Sequence, residues 1–176
     1  ITAFNSIELD EQCGEDIWKG DDILGWMYEN FNAVEKVQLK ESGEKIEYDK
    51  VFLQSQIYTP QWVVKFLVDN TLGKQYLEMY PDSRFMIDEE TGKTKYLIAN
   101  APKQLVRHPK ENGVLDIKLI DPACGSGNFL IYAFSVFYDM YVDQMENYGA
   151  DFSRRDIPKL IVEHNLYGVD LDERAV

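Results

Sequence analysis

The run Asp121-Pro122-Ala123-Cys124-Gly125-Ser126-Gly127-Asn128-Phe129-Leu130 decides how this chain folds, because it puts an acid and two close glycines where a strand turns into a helix. Upstream, Ile117, Leu119 and Ile120 form the apolar run of a short buried strand. Downstream, Phe129 to Met145 carries enough apolar residues for a long helix. Gly125 and Gly127 open backbone conformations closed to residues with a Cβ and let a ligand come close to the main chain. The strand, turn and helix therefore predict an α/β fold with a ligand pocket at the turn.

Charge narrows the ligand. A dinucleotide site sets pyrophosphate against the helix N-terminus, where positive or neutral neighbours are favoured. Asp121 would repel phosphates but suits a cation such as the ammonium or sulfonium of S-adenosylmethionine, which has no phosphate. The dinucleotide fingerprint also requires a third glycine, and Leu130 stands in its place. Nicotinamide and flavin readings therefore fall behind.

Two further stretches fit the same ligand. Leu166-Tyr167-Gly168-Val169-Asp170 is a short apolar run ending in an acid, and Leu171 to Val176 can open another helix. An acid ending the second strand of a doubly wound sheet can accept hydrogen bonds from both ribose hydroxyls. Between the two strands, Gly149 breaks the chain and Ser153 to His164 supplies a second helix. Upstream, Gln56 to Val64 contains a helix start, with Thr59 as N-cap and Pro60 at the first helical position. Trp62, Val63, Phe66 and Leu67 repeat at helical spacing, and Gly73 is placed to end that helix. Its free amides would suit the carboxylate of a methionine tail.

Taken in order, these stretches resemble the amino-group DNA methyltransferases, whose conserved elements run motif X, motif I, motif II and then a catalytic motif. Tyr58-Thr59-Pro60 resembles motif X, Asp121 to Leu130 motif I, and Tyr167 to Val176 motif II. Within that family the chain is similar to the large adenine-specific methyltransferases of BREX-type phage-exclusion systems. That likeness rests on Leu24 to Glu29, Thr71-Leu72-Gly73, Asp156-Ile157-Pro158 and Asn165-Leu166-Tyr167-Gly168. Combined restriction-modification enzymes share much of the pattern.

The resemblance implies an incomplete Rossmann-like, S-adenosylmethionine-dependent sheet preceded by a mainly helical segment. It implies a cofactor set of Tyr58, Thr59, Pro60, Asp121, Ala123, Gly125, Gly127, Asn128, Phe129, Asp170 and Leu171. In that set Thr59 and Asp121 hold the methionine end, the glycines shape the turn, Phe129 lines the pocket and Asp170 takes the ribose. The family transfers the methyl group with an Asn/Asp-Pro-Pro-Tyr/Phe tetrapeptide, and none occurs here. The chain is therefore expected to be the cofactor-binding part of a larger enzyme that acts on double-stranded DNA, with no catalytic residue and no metal of its own.

Composition is consistent with that expectation. With 176 residues and 45% hydrophobic content, the chain can bury one core. Cys13 and Cys124 are too few for a disulfide scaffold, and no apolar run is long enough for a bilayer, so a reducing, cytoplasmic setting is expected, in a bacterium or archaeon as the resemblance implies. The net charge of −13 is unusual for a DNA enzyme. Acids crowd residues 1–50, an acidic and mainly helical front from Ile17 to about Val37 with a polar turn at Ser42-Gly43. Such a face avoids DNA or meets a basic protein partner.

The cofactor portion is expected over 51–176, with motif X at 56–64, an insertion at 81–112, motif I at 121–130 and motif II at 166–176. The insertion holds a basic stretch from Lys93 to Lys110, which either touches DNA or is merely solvated. It also suggests a hairpin pairing Arg84 to Ile87 with Thr94 to Ile98.

Plainer readings stand beside these. Cys124 reads as a packing residue without a base beside it, and His108 and His164 as surface or capping residues. Trp18, Trp26 and Trp62 read as core anchors, Trp62 alternatively as a border of the cofactor. A nucleotide-binding Rossmann-type enzyme or a non-catalytic interaction module remains possible, as does a protein glutamine or cytosine acceptor.

Overall fold

The computed structural model describes residues 33–43, 59–87, 96–98 and 107–171. The chain divides into two compact units, 1–58 and 59–176. In the first, helix α1 (Ala33–Ser42) ends where Ser42 Oγ donates back to the Leu39 carbonyl at 3.0 Å and Gly43 turns to a positive φ of 63°. The helical reading of Ile17 to Val37 lies mostly outside the described residues, as do Trp18 and Trp26.

The second unit begins with α2 (Gln61–Val68), which continues through a π-helical turn (Asp69–Gly73) into α3 (Lys74–Met79). Its buried stripe is Val64, Val68, Leu72 and Tyr76. A strict four-residue spacing overshoots a full circle by about 40° per step in an ideal α-helix. The wider π-turn takes up part of that drift and keeps the stripe on one face. The turn disturbs the main-chain ladder, and side chains answer it. Asn70 Nδ2 donates to the Phe66 carbonyl at 2.8 Å and Thr71 Oγ1 to the Leu67 carbonyl at 2.7 Å.

Three expectations for this helix are corrected. Pro60, in an extended conformation, occupies the N-cap in place of Thr59, and its carbonyl accepts from the Val63 and Val64 amides. Gly73 does not end the helix: it is right-handed helical, and a Cβ there would lie 2.4 Å from Met86 Sδ, so the glycine serves close packing. Trp62 is 62% exposed, with Phe66 and Leu67 exposed beside it, because the buried stripe runs along the face carrying Val64 and Val68.

After Met79 the chain turns at Ser83 and again where the Ile87 amide donates to the Arg84 carbonyl at 2.9 Å. Arg84 to Met86 thus form a turn instead of the expected strand, and residues 88–95 of the expected hairpin lie outside the described residues. Segment 96–98 docks on the π-turn, with Asn70 bonded to the Tyr96 carbonyl and the Ile98 amide.

A 3-10 turn (Gly113–Asp116) leads into β1 (Leu119–Asp121), which gives way at the glycine turn to the 20-residue helix α4 (Asn128–Asn147). The chain returns through α5 (Ile157–Leu160) and a second π-turn (Ile161–Asn165) to β2 (Leu166–Gly168). The second helix therefore starts at Ile157, after a turn at 154–156, and later than the expected Ser153. The strands pair in parallel, Leu119 with Leu166 and Asp121 with Gly168. The described residues thus form an α/β unit with a two-stranded parallel sheet.

Val136, Phe137, Met140 and Tyr141 of α4 pack against the α2–α3 stripe, with Ile157 and Ile161 completing the core. Ile120 is 64% exposed, contrary to the buried strand expected: side chains alternate along a strand, and only the Leu119 side of the sheet meets α4.

The buried polar side chains Asp143 and Asn165 are both hydrogen-bonded. Asp143 accepts from Tyr76 Oη at 2.6 Å, Ser83 Oγ at 2.7 Å and Asn147 Nδ2 at 2.8 Å. Fully buried Asn165 donates to the Val114 and Ile117 carbonyls, both at 2.8 Å, and accepts from Tyr141 Oη at 2.9 Å. It thereby ties the entry to β1, the entry to β2 and α4 together.

Candidate cofactor site

The parallel pairing brings Asp121 and the residues just after Gly168 to one end of the sheet. Beyond the last strand pair, the Val169 amide donates to the Asp121 carbonyl at 2.9 Å and the Cys124 amide to the Val169 carbonyl at 3.1 Å. The Gly125 amide then donates to Asp170 Oδ2 at 2.7 Å. The turn after β1 and the segment after β2 are thus laced into one surface. Asp121 Oδ1 accepts from the Ala123 amide at 3.1 Å, which rounds the chain away from the strand.

Two glycines then turn the chain into α4. Gly125 has φ 51° and Gly127 φ 83°, both left-handed, where an L side chain is strained. A Cβ on Gly127 would meet nothing within 4 Å, so the turn faces open space. Leu130, where a dinucleotide fold would carry its third glycine, is accommodated from the other side. A Cβ on Gly168 would lie 2.9 Å from Leu130 Cδ1 and 3.1 Å from Cys124 Sγ. The close approach has moved from the helix to the second strand.

The electrostatics are negative at this end of the sheet. Burial, then the charges of Asp170 and Asp121, push the Cys124 thiol up from its ordinary value. The thiol stays protonated, which agrees with a packing role and disfavours a nucleophile. The same carboxylates disfavour a pyrophosphate and suit a cationic ligand group. Among the described residues no group of three or more His, Cys, Asp or Glu could hold a metal ion.

The Thr59–Gln61 segment reaches the same place. Asn128, the first residue of α4, donates through Nδ2 to the Thr59 carbonyl at 2.9 Å and accepts at Oδ1 from Gln61 Nε2 at 3.1 Å. Of the expected set, these bonds join Thr59 to Asn128, Asp121 to Ala123 and Gly125 to Asp170. Phe129 packs partly buried against the core, Leu171 is 64% exposed, and Tyr58 lies outside the described residues. Gln61 and Gly168 escaped the sequence reading. A polar residue right after Thr59-Pro60 is the one signal that pointed to Gln61, and Gly168 shows its purpose only against Leu130.

The basic insertion is partly accounted for. Arg107 Nε pairs with Glu78 Oε2 at 2.7 Å, and the Arg107 amide donates to the Glu78 carbonyl at 3.0 Å. Glu78 is only 6% exposed, so this arginine closes a buried carboxylate onto α3. Among the described residues no helix is long and apolar enough to cross a membrane.

Comparison with known proteins agrees with this geometry. Residues 95–176 match the family described as MmeI, DNA-methyltransferase domain. The chain is 33% identical to the adenine-specific methyltransferase BrxX of Escherichia coli O9:H4 (strain HS) over 95% of its length. It is 34% identical to the adenine-specific methyltransferase PglX of Lacticaseibacillus casei (strain Zhang) over 88% of its length. A relative in Methanocaldococcus jannaschii, 27% identical, has a name that couples a type II restriction enzyme to a methyltransferase. The chain spans about 13% of the length of each of these relatives. With the Thr59–Gln61 segment, the Asp121–Leu130 turn and Asp170 brought together beside one end of the sheet, residues 95–176 match the model of the MmeI DNA-methyltransferase domain, and the chain is similar along most of its length to adenine-specific methyltransferases.

Proposed function

We propose that this chain is the S-adenosylmethionine-binding part of an adenine-specific DNA methyltransferase of Rossmann-like fold, working in phage defence or restriction-modification. The observation that carries the reading is the convergence of Asp121, Gly125 and Asp170 where two parallel strands end, beside the N-terminus of a 20-residue helix. Ligands of open α/β sheets bind beyond the carboxyl ends of the strands.

The residues fit the donor. Gly127 leaves open space over the turn, the two carboxylates match a molecule with cationic groups and no phosphate, and the helix start offers amides to a carboxylate. Asp121 faces the cationic methionine end. Asp170 holds the ribose while its Oδ2 keeps Gly125 in place. Thr59 and Pro60 border the methionine tail from the start of α2, with Tyr58 just before them in the chain. Ala123, Gly125, Gly127, Asn128 and Phe129 form the floor, and Leu171 borders the adenine side.

When bound, the donor supplies an electrophilic methyl on sulfur. This chain's part is to orient that methyl, so that an exocyclic amine on a flipped adenine can approach in line. The clamp on the target amine, the contacts to double-stranded DNA and any basic partner of the acidic front belong to the complete protein. A cytoplasmic setting follows from that substrate.

Calorimetry of the complete protein with S-adenosylhomocysteine, with NAD as the comparison ligand, tests the reading. Binding of the adenosyl ligand with none of NAD is expected, and the reverse would return the site to nucleotide chemistry. With labelled donor and mixed-sequence DNA, the complete protein methylates adenine and the 176-residue chain alone does not.

A further inference from the structure

One side-chain amide joins the two helix starts that face the candidate pocket. Asn128 donates to the carbonyl of Thr59 and accepts from Gln61, partners 69 and 67 residues away in the chain. The Thr59 carbonyl can only accept, so Nδ2 must face it. That places Oδ1 toward Gln61 and makes Gln61 the donor. The amide therefore fits in one orientation and grips both ends of the Thr59–Gln61 segment. Deeper in the unit the same helices are tied again by Tyr132 Oη on Asp69 Oδ1 at 2.9 Å and by Lys65 Nζ 5.9 Å from the Tyr132 ring centroid. Those contacts lie one to two turns farther along α2. Among the hydrogen bonds described, only the Asn128 amide holds the first turn of α2 against α4.

We infer that Asn128 is a positioning residue: its amide sets the separation between the Thr59–Gln61 segment and the Gly125–Gly127 turn, and so the width of the cleft that takes the donor's methionine end. This rests on the cofactor reading for the identity of the ligand, while the clamp itself stands on the two bonds. Holding both walls in place before binding spares the ligand the cost of ordering them.

The test uses Asn128→Ala and Asn128→Asp in the complete protein. A carboxylate at position 128 would face the Thr59 carbonyl and repel it. A protonated carboxyl could again donate to Thr59 and accept from Gln61, and the neighbouring acceptor raises the pKa at which this happens. Asn128→Asp should therefore bind S-adenosylhomocysteine about tenfold more weakly than the unaltered protein at high pH. It should recover on going from about pH 8 to about pH 5. Asn128→Ala should be weakened equally at both. The KM for the donor rises in both variants, and only Asn128→Asp recovers it at the lower pH.

Asn128→Asp binding like the unaltered protein at the higher pH, or changing with pH no more than Asn128→Ala, overturns the inference. If the unaltered protein binds no S-adenosylhomocysteine, the cofactor reading fails and hydrogen exchange decides the clamp. The Val63 and Val64 amides, bonded to Pro60, should then lose protection in both variants and regain it only in Asn128→Asp at the lower pH. Unchanged protection there overturns the clamp by itself.

Discussion

The Gly125 amide donates to Asp170 Oδ2 at 2.7 Å across 45 residues of chain, so the acid just beyond the second strand also shapes the glycine turn that follows the first. An alanine at 170 removes both this anchor and the charge proposed to hold a ribose. We expect Asp170→Ala to weaken S-adenosylhomocysteine binding by about 1.5 to 3 kcal/mol, the range for hydrogen bonds to a charged group. Asp170→Asn, which keeps an acceptor for Gly125, should lose less. Calorimetry on folded variants checks the order, and equal affinity of all three proteins would remove Asp170 from the site.

Asp121 separates charge from geometry. Its Oδ1 accepts from the Ala123 amide, and an asparagine oxygen can do the same. Asp121→Asn should keep the turn and the thermal midpoint while weakening the cationic ligand by about 1 kcal/mol or more. Carboxylate-free analogues of the methionine tail should lose as much as the parent ligand. An unaltered affinity would show that charge at position 121 is irrelevant.

Asn165 is the structural counterpart. Its removal strands the Val114 and Ile117 carbonyls and the Tyr141 hydroxyl in a dry core. Asn165→Ala should destabilise this unit by about 3 to 5 kcal/mol, well beyond a surface substitution. Hydrogen exchange of α4 amides in urea would measure it, and a loss below about 1 kcal/mol would mean that water replaces the side chain.

Alkali should unfold the unit through its tyrosines. Burial pushes the Tyr141 phenol from its ordinary value of 10.0 up to about 12. Tyr76 and Tyr132 are raised further by burial and by their bonds to Asp143 and Asp69. A pKa raised on folding means the folded state holds its proton more tightly, so this stability is fully present below the unfolded value. It is lost as pH rises from about 10 through 12. Denaturant midpoints should be level up to about pH 9 and then fall, with a shallower fall in Tyr141→Phe. A midpoint independent of pH in that window would contradict the burial of these rings.

The strand, glycine turn and long helix were legible from the residues alone, because apolar periodicity and left-handed turns are local properties. The helix expected over Phe129 to Met145 is observed as Asn128–Asn147. The parallel neighbour, expected over Leu166 to Asp170, is observed as Leu166–Gly168. Local signals could not say which face of α2 is buried, since Trp62 and Phe66 are as apolar as Val64 and Val68. The partner helix made that choice, and it left the larger side chains outside.

Gly73 carries the sequence mark of a helix end, yet Met86 turns it into a packing contact. Leu130 gains its place from Gly168, Arg107 from Glu78, and Asn128 from Thr59 and Gln61. The last four of these pairs are 29 to 69 residues apart, a separation over which the order of residues carries no distance. The chain's local chemistry determined that a glycine turn joins the strand to the long helix. Only the packing of α2 against α4 decided which side chains surround it, because that contact is made between surfaces and not between neighbours in sequence.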